Sequence, residues 1–331
     1  MNKELILLKS ISTDPRFNLA MEEYVFDNMP KEYEYFWLWR NHNTIVVGKH
    51  QNTVQEINLP YVKEHDITVV RRLSGGGAVY HDLGNVNFTF IADADNLEAL
   101  NLQAFCLPIV ETLQTMGIDA QVSGRNDITI DGRKFSGNSQ YIREKRIMHH
   151  GTLMFDSDLS VVTQALQVSA DKYESKGFKS VRSRVTSIRP YAPEGTTVDT
   201  FQKILEGNIA KHARVVTLNE EQIAQIKKIQ EARYNTWEWN FGYSPAYSVT
   251  KKRRIEGVGT IEVCMDVKDG SIHAFDTFGD YFGNGATQEL KDLLCGCPLT
   301  EEAILTALSG FALGTCYNHL TKEQFASLLT Q

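Results

Sequence analysis

Arg71-Arg72-Leu73-Ser74-Gly75-Gly76-Gly77-Ala78-Val79-Tyr80-His81-Asp82-Leu83-Gly84-Asn85 is the stretch on which the rest of the chain is organised. Ile67, Val69 and Val70 before it read as a buried strand. Val86, Phe88, Phe90 and Ile91 after it read as another, with Asn87 and Thr89 supplying part of the period of two. Between the strands stand three successive glycines, two arginines and a His-Asp pair. Glycine lets a backbone approach a ligand closely and offer N–H groups to an anion. Arginine adds a planar, permanently charged fork suited to phosphate and carboxylate. A plain glycine turn with solvated arginines is the bland reading. The combination points to an anion site.

Composition narrows the class. The 331 residues suffice for a substantial core and favour two domains. A net charge of −7 and a pI near 5.8 leave no basic footprint for nucleic acid. Lys251-Lys252-Arg253-Arg254 is a local exception, either a solvated face or a dock for an acidic protein. Five cysteines without a CxxC pair argue against a disulfide framework or zinc site, and Cys295-Gly296-Cys297 is too closely spaced to be diagnostic. The N-terminus lacks a signal-peptide pattern, and no apolar run of about 18 residues suggests a membrane span. A cytoplasmic protein is expected.

In chain order, residues 4–8 read as a strand, and Asp14-Pro15 as the cap and first residue of a helix. Phe17, Ala20, Met21, Tyr24 and Val25 fall on one helical face. Strands are expected over 34–40 and 44–48, with Trp37 and Trp39 in the core. A short helix ends at 61–64. The spacing predicts a long helix over 96–116, with Pro108 in conflict and Gly117 as a stop. Asp127–Ile130, the turn Asp131-Gly132 and Lys134–Tyr141 form a hairpin, followed by a strand over 146–155 with His150 and Thr152 on one face. Residues 171–189 are polar and basic and read as a long loop. Helices follow near 197–211 and 219–233.

Aromatics, glycine and proline at 236–245 mark a domain boundary, giving 1–246 and 247–331. Strands near 247–254, 258–267 and 271–278 and helices near 286–294, 300–308 and 321–330 make the second unit. Hairpins and helices together imply an α+β fold, a mixed or antiparallel sheet packed by helices, with a small α+β C-terminal domain.

RRLSGGGAVYHDLGN resembles the signature loop of the lipoate-protein ligases, relatives of the biotin ligases. Ser123–Gly137 (SGRNDITIDGRKFSG), His149–Leu153 (HHGTL) and Val181–Ser187 (VRSRVTS) resemble further segments of that family in the same order. The similarity spans most of residues 1–190, and the C-terminal remainder suits the two-domain form. The resemblance implies a class II synthetase-like fold and an ATP-dependent ligase. Lipoate would be activated to lipoyl-AMP with loss of pyrophosphate. The lipoyl group would then pass to a lysine on lipoyl domains of 2-oxoacid dehydrogenase E2 subunits or the glycine cleavage H protein.

It also implies residue roles. Lys134 is the catalytic residue, touching both α-phosphate and acyl carbonyl. Arg72, Gly75, Gly76, Gly77, Ala78, Val79, Tyr80, Asn126 and Asp127 join it around ATP and the adenylate. Ser74, Gly77, His150 and Lys134 serve lipoate. Residues 171–189 close over the adenylate. Asp127 either holds Mg2+, orients the incoming amine or caps a strand. His150 lines the acyl pocket or is a satisfied structural residue, and Arg71 is a nucleotide contact or part of an ion pair.

The chemistry agrees with this reading. Adenylation brings two anions together, which calls for positioned cations and N–H groups. No GxxxxGK[ST] sequence is present, so the nucleotide site is not a P-loop. An octanoyl or lipoyl transferase of the same fold would need a reactive thiol in the cleft. Cys106 lies in an apolar segment, and the other four cysteines follow residue 260. Biotin ligation is disfavoured because a GRGR-type loop is replaced by RRLSGGGA. A noncatalytic lipoate-binding protein would not require both Arg72 and Lys134.

Overall fold

The computed structural model describes residues 3–93, 105–123, 127–166, 185–241, 249–268, 270–283 and 287–330. Strands β1 (Glu4–Leu8), β2 (Tyr33–Trp39), β6 (Asn85–Asp93), β7 (Ala120–Ser123), β8 (Asp127–Ile130), β9 (Arg133–Arg143), β10 (Arg146–Met154) and β11 (Arg214–Val216) build an eight-stranded sheet. Its order is β11-β1-β2-β6-β10-β9-β8-β7. The β11-β1-β2 edge is parallel and every other pair is antiparallel, so the sheet is mixed.

Both faces of this sheet are covered, which explains why β2 is almost uninterruptedly apolar. Tyr35, Trp37 and Trp39 alternate onto one face beside helix α1 (Pro15–Asn28). Phe36 and Leu38 take the other face, beneath the helices Leu107–Thr115 and Val198–Ala210. Asp14 caps α1 by accepting the Arg16 amide at 2.9 Å, and Pro15 occupies the first turn. Beyond the expected apolar face, Asn18, Glu22 and Glu23 are buried too, so α1 is enclosed nearly all round.

Of the long helix expected over 96–116, residues 96–104 lie outside the described ones, and among the described residues the helix runs over Leu107–Thr115. Pro108 sits in its first turn, where a missing N–H costs nothing, so it starts the helix and does not kink it. Gly117 follows its end with φ +79°. Asp131 and Gly132, at φ +51° and +70°, form the tight turn between β8 and β9.

A second sheet, β4-β3-β5, holds β3 (Thr44–Val47) parallel to β4 (Thr68–Arg71) and antiparallel to β5 (Val79–His81). The glycine loop joins β4 to β5. In the third sheet, β12 (Val249–Ile255), β13 (Gly259–Lys268) and β14 (Ser271–Gly279) pack on helices Thr287–Leu294, Glu301–Ala307 and Lys322–Thr330 around a separate core. Much of the basic run in β12 is used within the chain. Lys251 donates to the Leu329 carbonyl at 2.8 Å, near the end of the last helix. Arg253 donates to Ser327 at 3.0 Å, and Lys252 pairs with Glu262 at 3.3 Å. No helix among the described residues is long and apolar enough to cross a membrane.

Candidate functional site

The glycine loop is shaped from beneath by Arg72. Its guanidinium is buried and donates to the carbonyls of Gly75 at 2.7 Å, Gly77 at 2.9 Å and Val46 at 3.2 Å, and to Ser74 Oγ at 3.0 Å. Ser139 Oγ on β9 donates to the Gly75 carbonyl at 2.9 Å. Arg71 points elsewhere. It donates to the carbonyls of Gly48, Lys49, Gln51 and Trp239 and to Thr53 Oγ1, all within 3.0 Å, and forms no ion pair among the described residues. Burial pushes both arginines down to about 10, which leaves them charged at neutral pH.

Two glycines of the loop are required by packing. A Cβ on Gly75 would lie 2.4 Å from the Tyr281 carbonyl oxygen. Gly76, at φ +92°, lies against the ring of Phe282. The Gly76 amide donates to that same Tyr281 carbonyl at 3.2 Å, so in this structure it is engaged by the C-terminal segment and not offered to an anion. The contact is reinforced where the His50 ring stacks on Tyr281 at 4.6 Å and the Gly279 amide donates to the His50 carbonyl at 2.8 Å.

Lys134 faces the loop from β9. Strict alternation would put Lys134 on the opposite face from Gly137. The β8–β9 register instead slips between Ile128 and Thr129, leaving Phe135 as an extra residue. The bulge brings the Lys134 ammonium over Gly137, where a Cβ would lie 3.2 Å away, and 2.7 Å from the Asp127 carboxylate.

Between loop and lysine lies a cavity of about 220 Å³. Leu19, Trp39, Val46 and Val79 supply apolar wall, while Arg72, Lys134, Asn138 and Thr152 bring charge and hydrogen-bonding groups. His150 also lines it, with Nε2 2.6 Å from Ser74 Oγ and Nδ1 2.9 Å from Glu22 Oε1. Its neighbour His149 points to the other face of the sheet. There it stacks on Phe105, and burial holds it neutral, down to about 3. Cys106, 3.7 Å from His149, has its thiol pushed up to about 12 by burial, and no cysteine lines the cavity. A thiolate nucleophile has no place in this site.

The expected residues are thus distributed unequally. Arg72, Gly76, Gly77, Ala78, Val79, Lys134 and His150 meet at the cavity, with Asp127 beside Lys134. Gly75 and Ser74 lie beneath the loop, off the cavity wall. Tyr80 alternates away, its hydroxyl donating to Asn43 Oδ1 at 3.0 Å. Asn126, and the expected closing loop as far as residue 184, lie outside the described residues. Leu19, Val46, Asn138, Ser139 and Phe282 were not singled out from the sequence. Asn138 and Ser139 follow directly on the lysine block. Phe282 carries no local signal, because it reaches the cavity from the C-terminal unit.

Comparison with known proteins places this geometry. Over 98% of both chains the fold superposes on P. falciparum LipL1, solved with lipoate, at a TM-score of 0.81 and 24% identity. The bi-partite lipoate protein ligase from Thermoplasma acidophilum, described with its E2 lipoyl domain, matches 75% of this chain and 100% of its own at TM-score 0.66 and 25% identity. The fold is therefore that of the protein-lipoylating ligases. The chain belongs to the lipoate-protein ligase family. Residues 14–210 match the lipoyl protein ligase A/B catalytic domain, and residues 244–329 the bacterial lipoate protein ligase C-terminus. Lipoate-protein ligase LplJ of Bacillus subtilis is 43% identical over 96% of this chain and 97% of its own length.

Proposed function

We propose that this enzyme joins lipoate to protein in two steps at the cavity between the glycine loop and Lys134. The observation that carries the reading is the placement of Lys134 and the Arg72-braced loop on opposite sides of one cavity with an apolar wall. In the first step a lipoate carboxylate oxygen bonds to the α-phosphorus of ATP, and the bond to the pyrophosphate oxygen breaks. Lys134 neutralises charge on the phosphoryl oxygens, as positioned cations do in such transfers. In the second step a lysine amine of the acceptor attacks the acyl carbonyl, the bond to AMP breaks, and the amine gives up a proton. Lys134 polarises that carbonyl. Leu19, Trp39, Val46 and Val79 accommodate the apolar acyl chain.

Magnesium accompanies the nucleotide. Among the described residues no three His, Cys, Asp or Glu side chains converge into a metal cage. A single carboxylate, Asp127, suits an ion held chiefly by phosphate oxygens and water. Asp127 would hold it there, and the ion would supply further charge neutralisation on the phosphates. The acceptors in this reading are lipoyl domains of E2 subunits and the glycine cleavage H protein, met in the cytoplasm. Residues 1–246 form the catalytic unit and 247–331 an accessory one. Pyrophosphate release on mixing with ATP and lipoate, with octanoate and biotin alongside, is the test. Lipoate and octanoate should be activated in preference to biotin. Equal or faster activation of biotin would refute the reading.

A further inference from the structure

Two hydrogen-bond chains under the cavity end on one carboxylate oxygen. The first begins at Arg72 Nε, which can only donate, and gives its proton to Ser74 Oγ at 3.0 Å. His150 Nε2 lies 2.6 Å from the serine oxygen, which can donate its own proton to it. On the other side of the ring Nδ1 faces Glu22 Oε1 at 2.9 Å, and because a carboxylate only accepts, Nδ1 carries the proton of that bond. The second chain begins at Trp39 Nε1, also donor-only, which bonds Thr89 Oγ1 at 2.8 Å. Thr89 donates in turn to Glu22 Oε1 at 2.6 Å. Donor-only groups at both origins and an acceptor-only carboxylate at the shared end orient both chains toward Glu22.

Glu22 does not line the cavity, yet both chains that converge on it start from or pass through residues that do: Arg72, His150 and Trp39. It is 1% exposed. Among the described residues Arg72 has no carboxylate within ion-pair distance, although its guanidinium is buried. A buried cation without a countercharge is costly. The Glu22 carboxylate works in the opposite sense to burial at Arg72, raising its proton affinity.

We propose that Glu22 is a positioning residue for adenylation, the remote countercharge of Arg72, which through Ser74–His150 and Thr89 holds three walls of the acyl and nucleotide cavity in register. This rests on the ligase reading. It extends that reading to a carboxylate that touches no substrate.

The test has a structural and a kinetic arm. Nitrogen-15 spectra of the imidazole in the full-length, substrate-free protein should show His150 as the Nδ1–H tautomer. That tautomer should persist in Glu22→Gln, whose amide oxygen still accepts, and be lost in Glu22→Ala. Pyrophosphate release should fall about tenfold to a hundredfold in kcat for both Ser74→Ala and Glu22→Ala, the scale of a small misplacement of site groups. The KM for ATP should move much less. The double variant should be no worse than the poorer single one, because both cut the same chain, and Glu22→Gln should recover part of the loss. If Glu22→Ala does not fold, the wild-type tautomer, Ser74→Ala and Glu22→Gln carry the test. An Nε2–H tautomer in the wild type, wild-type kinetics in Ser74→Ala, or losses that multiply in the double variant would overturn the proposal. Because the tautomer is read without substrate, it fails independently of any failure of lipoate activation.

Discussion

The carbonyl oxygen of Tyr281 accepts the amide of Gly76 at 3.2 Å, so a segment from the C-terminal unit sits directly on the glycine loop. Phe282 follows and forms cavity wall beside Gly76 and Lys134. Among the described residues every other wall residue precedes residue 153, and Phe282 is the one that the C-terminal unit contributes to the wall.

Replacing Phe282 with Ala should therefore impair the first half-reaction most, lowering pyrophosphate release by about tenfold, a scale set by loss of site geometry. A chain ending at residue 246 should show the same pattern more severely, while still transferring lipoyl from supplied lipoyl-AMP. Both half-reactions are measured separately. Undiminished adenylation by the shortened chain would remove the C-terminal segment from the account.

Close approach of backbones predicts opposite outcomes for two glycine substitutions. A Cβ on Gly48 would stand 2.0 Å from the Gly76 carbonyl oxygen and 3.2 Å from Arg72 Nη2. Gly48→Ala should destabilise by about 1–3 kcal/mol, as overpacking does, and lower activity. Gly207, inside the helix Val198–Ala210, has nothing within 4 Å of its Cβ position. Gly207→Ala should stabilise by about 0.5–1 kcal/mol and leave activity unchanged. Denaturant midpoints for the two variants decide the matter.

Acid sensitivity follows from histidines buried in the neutral form. His81 and His149 are 3% and 0% exposed, and burial, with Arg72 and His150 acting on His81, lowers each to about 3. An unfolded-chain histidine takes up its proton near pH 6.5. Between about pH 6.5 and pH 3 the unfolded state binds protons that the folded state refuses, so stability falls as pH falls. Each histidine contributes up to about 1.4 kcal/mol per pH unit. Urea unfolding at pH 7 and pH 5 should show the loss, and His149→Gln should make it shallower. An unchanged slope in that variant would show that His149 does not contribute.

What could be read from the sequence was local. The Asp14-Pro15 helix start, the Asp131-Gly132 turn and the shared face of His150 and Thr152 each depend on neighbours a few residues apart, and all formed as expected. The family motifs brought Arg72, Gly77 and Lys134 into view, and the structure gathers them at one cavity. Other features needed tertiary information. Pro108 conflicts with a helix only if the helix begins before it. Trp39 looks like core because it is core, yet one side of it faces the cavity. The bulge at Phe135 that turns Lys134 toward Gly137 leaves no composition signal. The burial of Glu22 depends on Thr89 and His150 arriving from β6 and β10. Strands as short as Ala120–Ser123 and Arg214–Val216 carry too few residues to show a period.

The most direct test of the central claim is Lys134→Met, with each half-reaction measured on protein shown to be folded. The ammonium is partly exposed and its partner is the surface-accessible Asp127, so removing the charge should cost little stability. Loss of one well-placed electrostatic contact commonly costs about a hundredfold to a thousandfold in rate. Both pyrophosphate release and transfer from supplied lipoyl-AMP should fall on that scale, with Lys134→Arg an incomplete substitute because a broad fork cannot replace a compact ammonium. Near-normal transfer in Lys134→Met would contradict the carbonyl-polarising role, and near-normal rates in both steps would contradict the site itself.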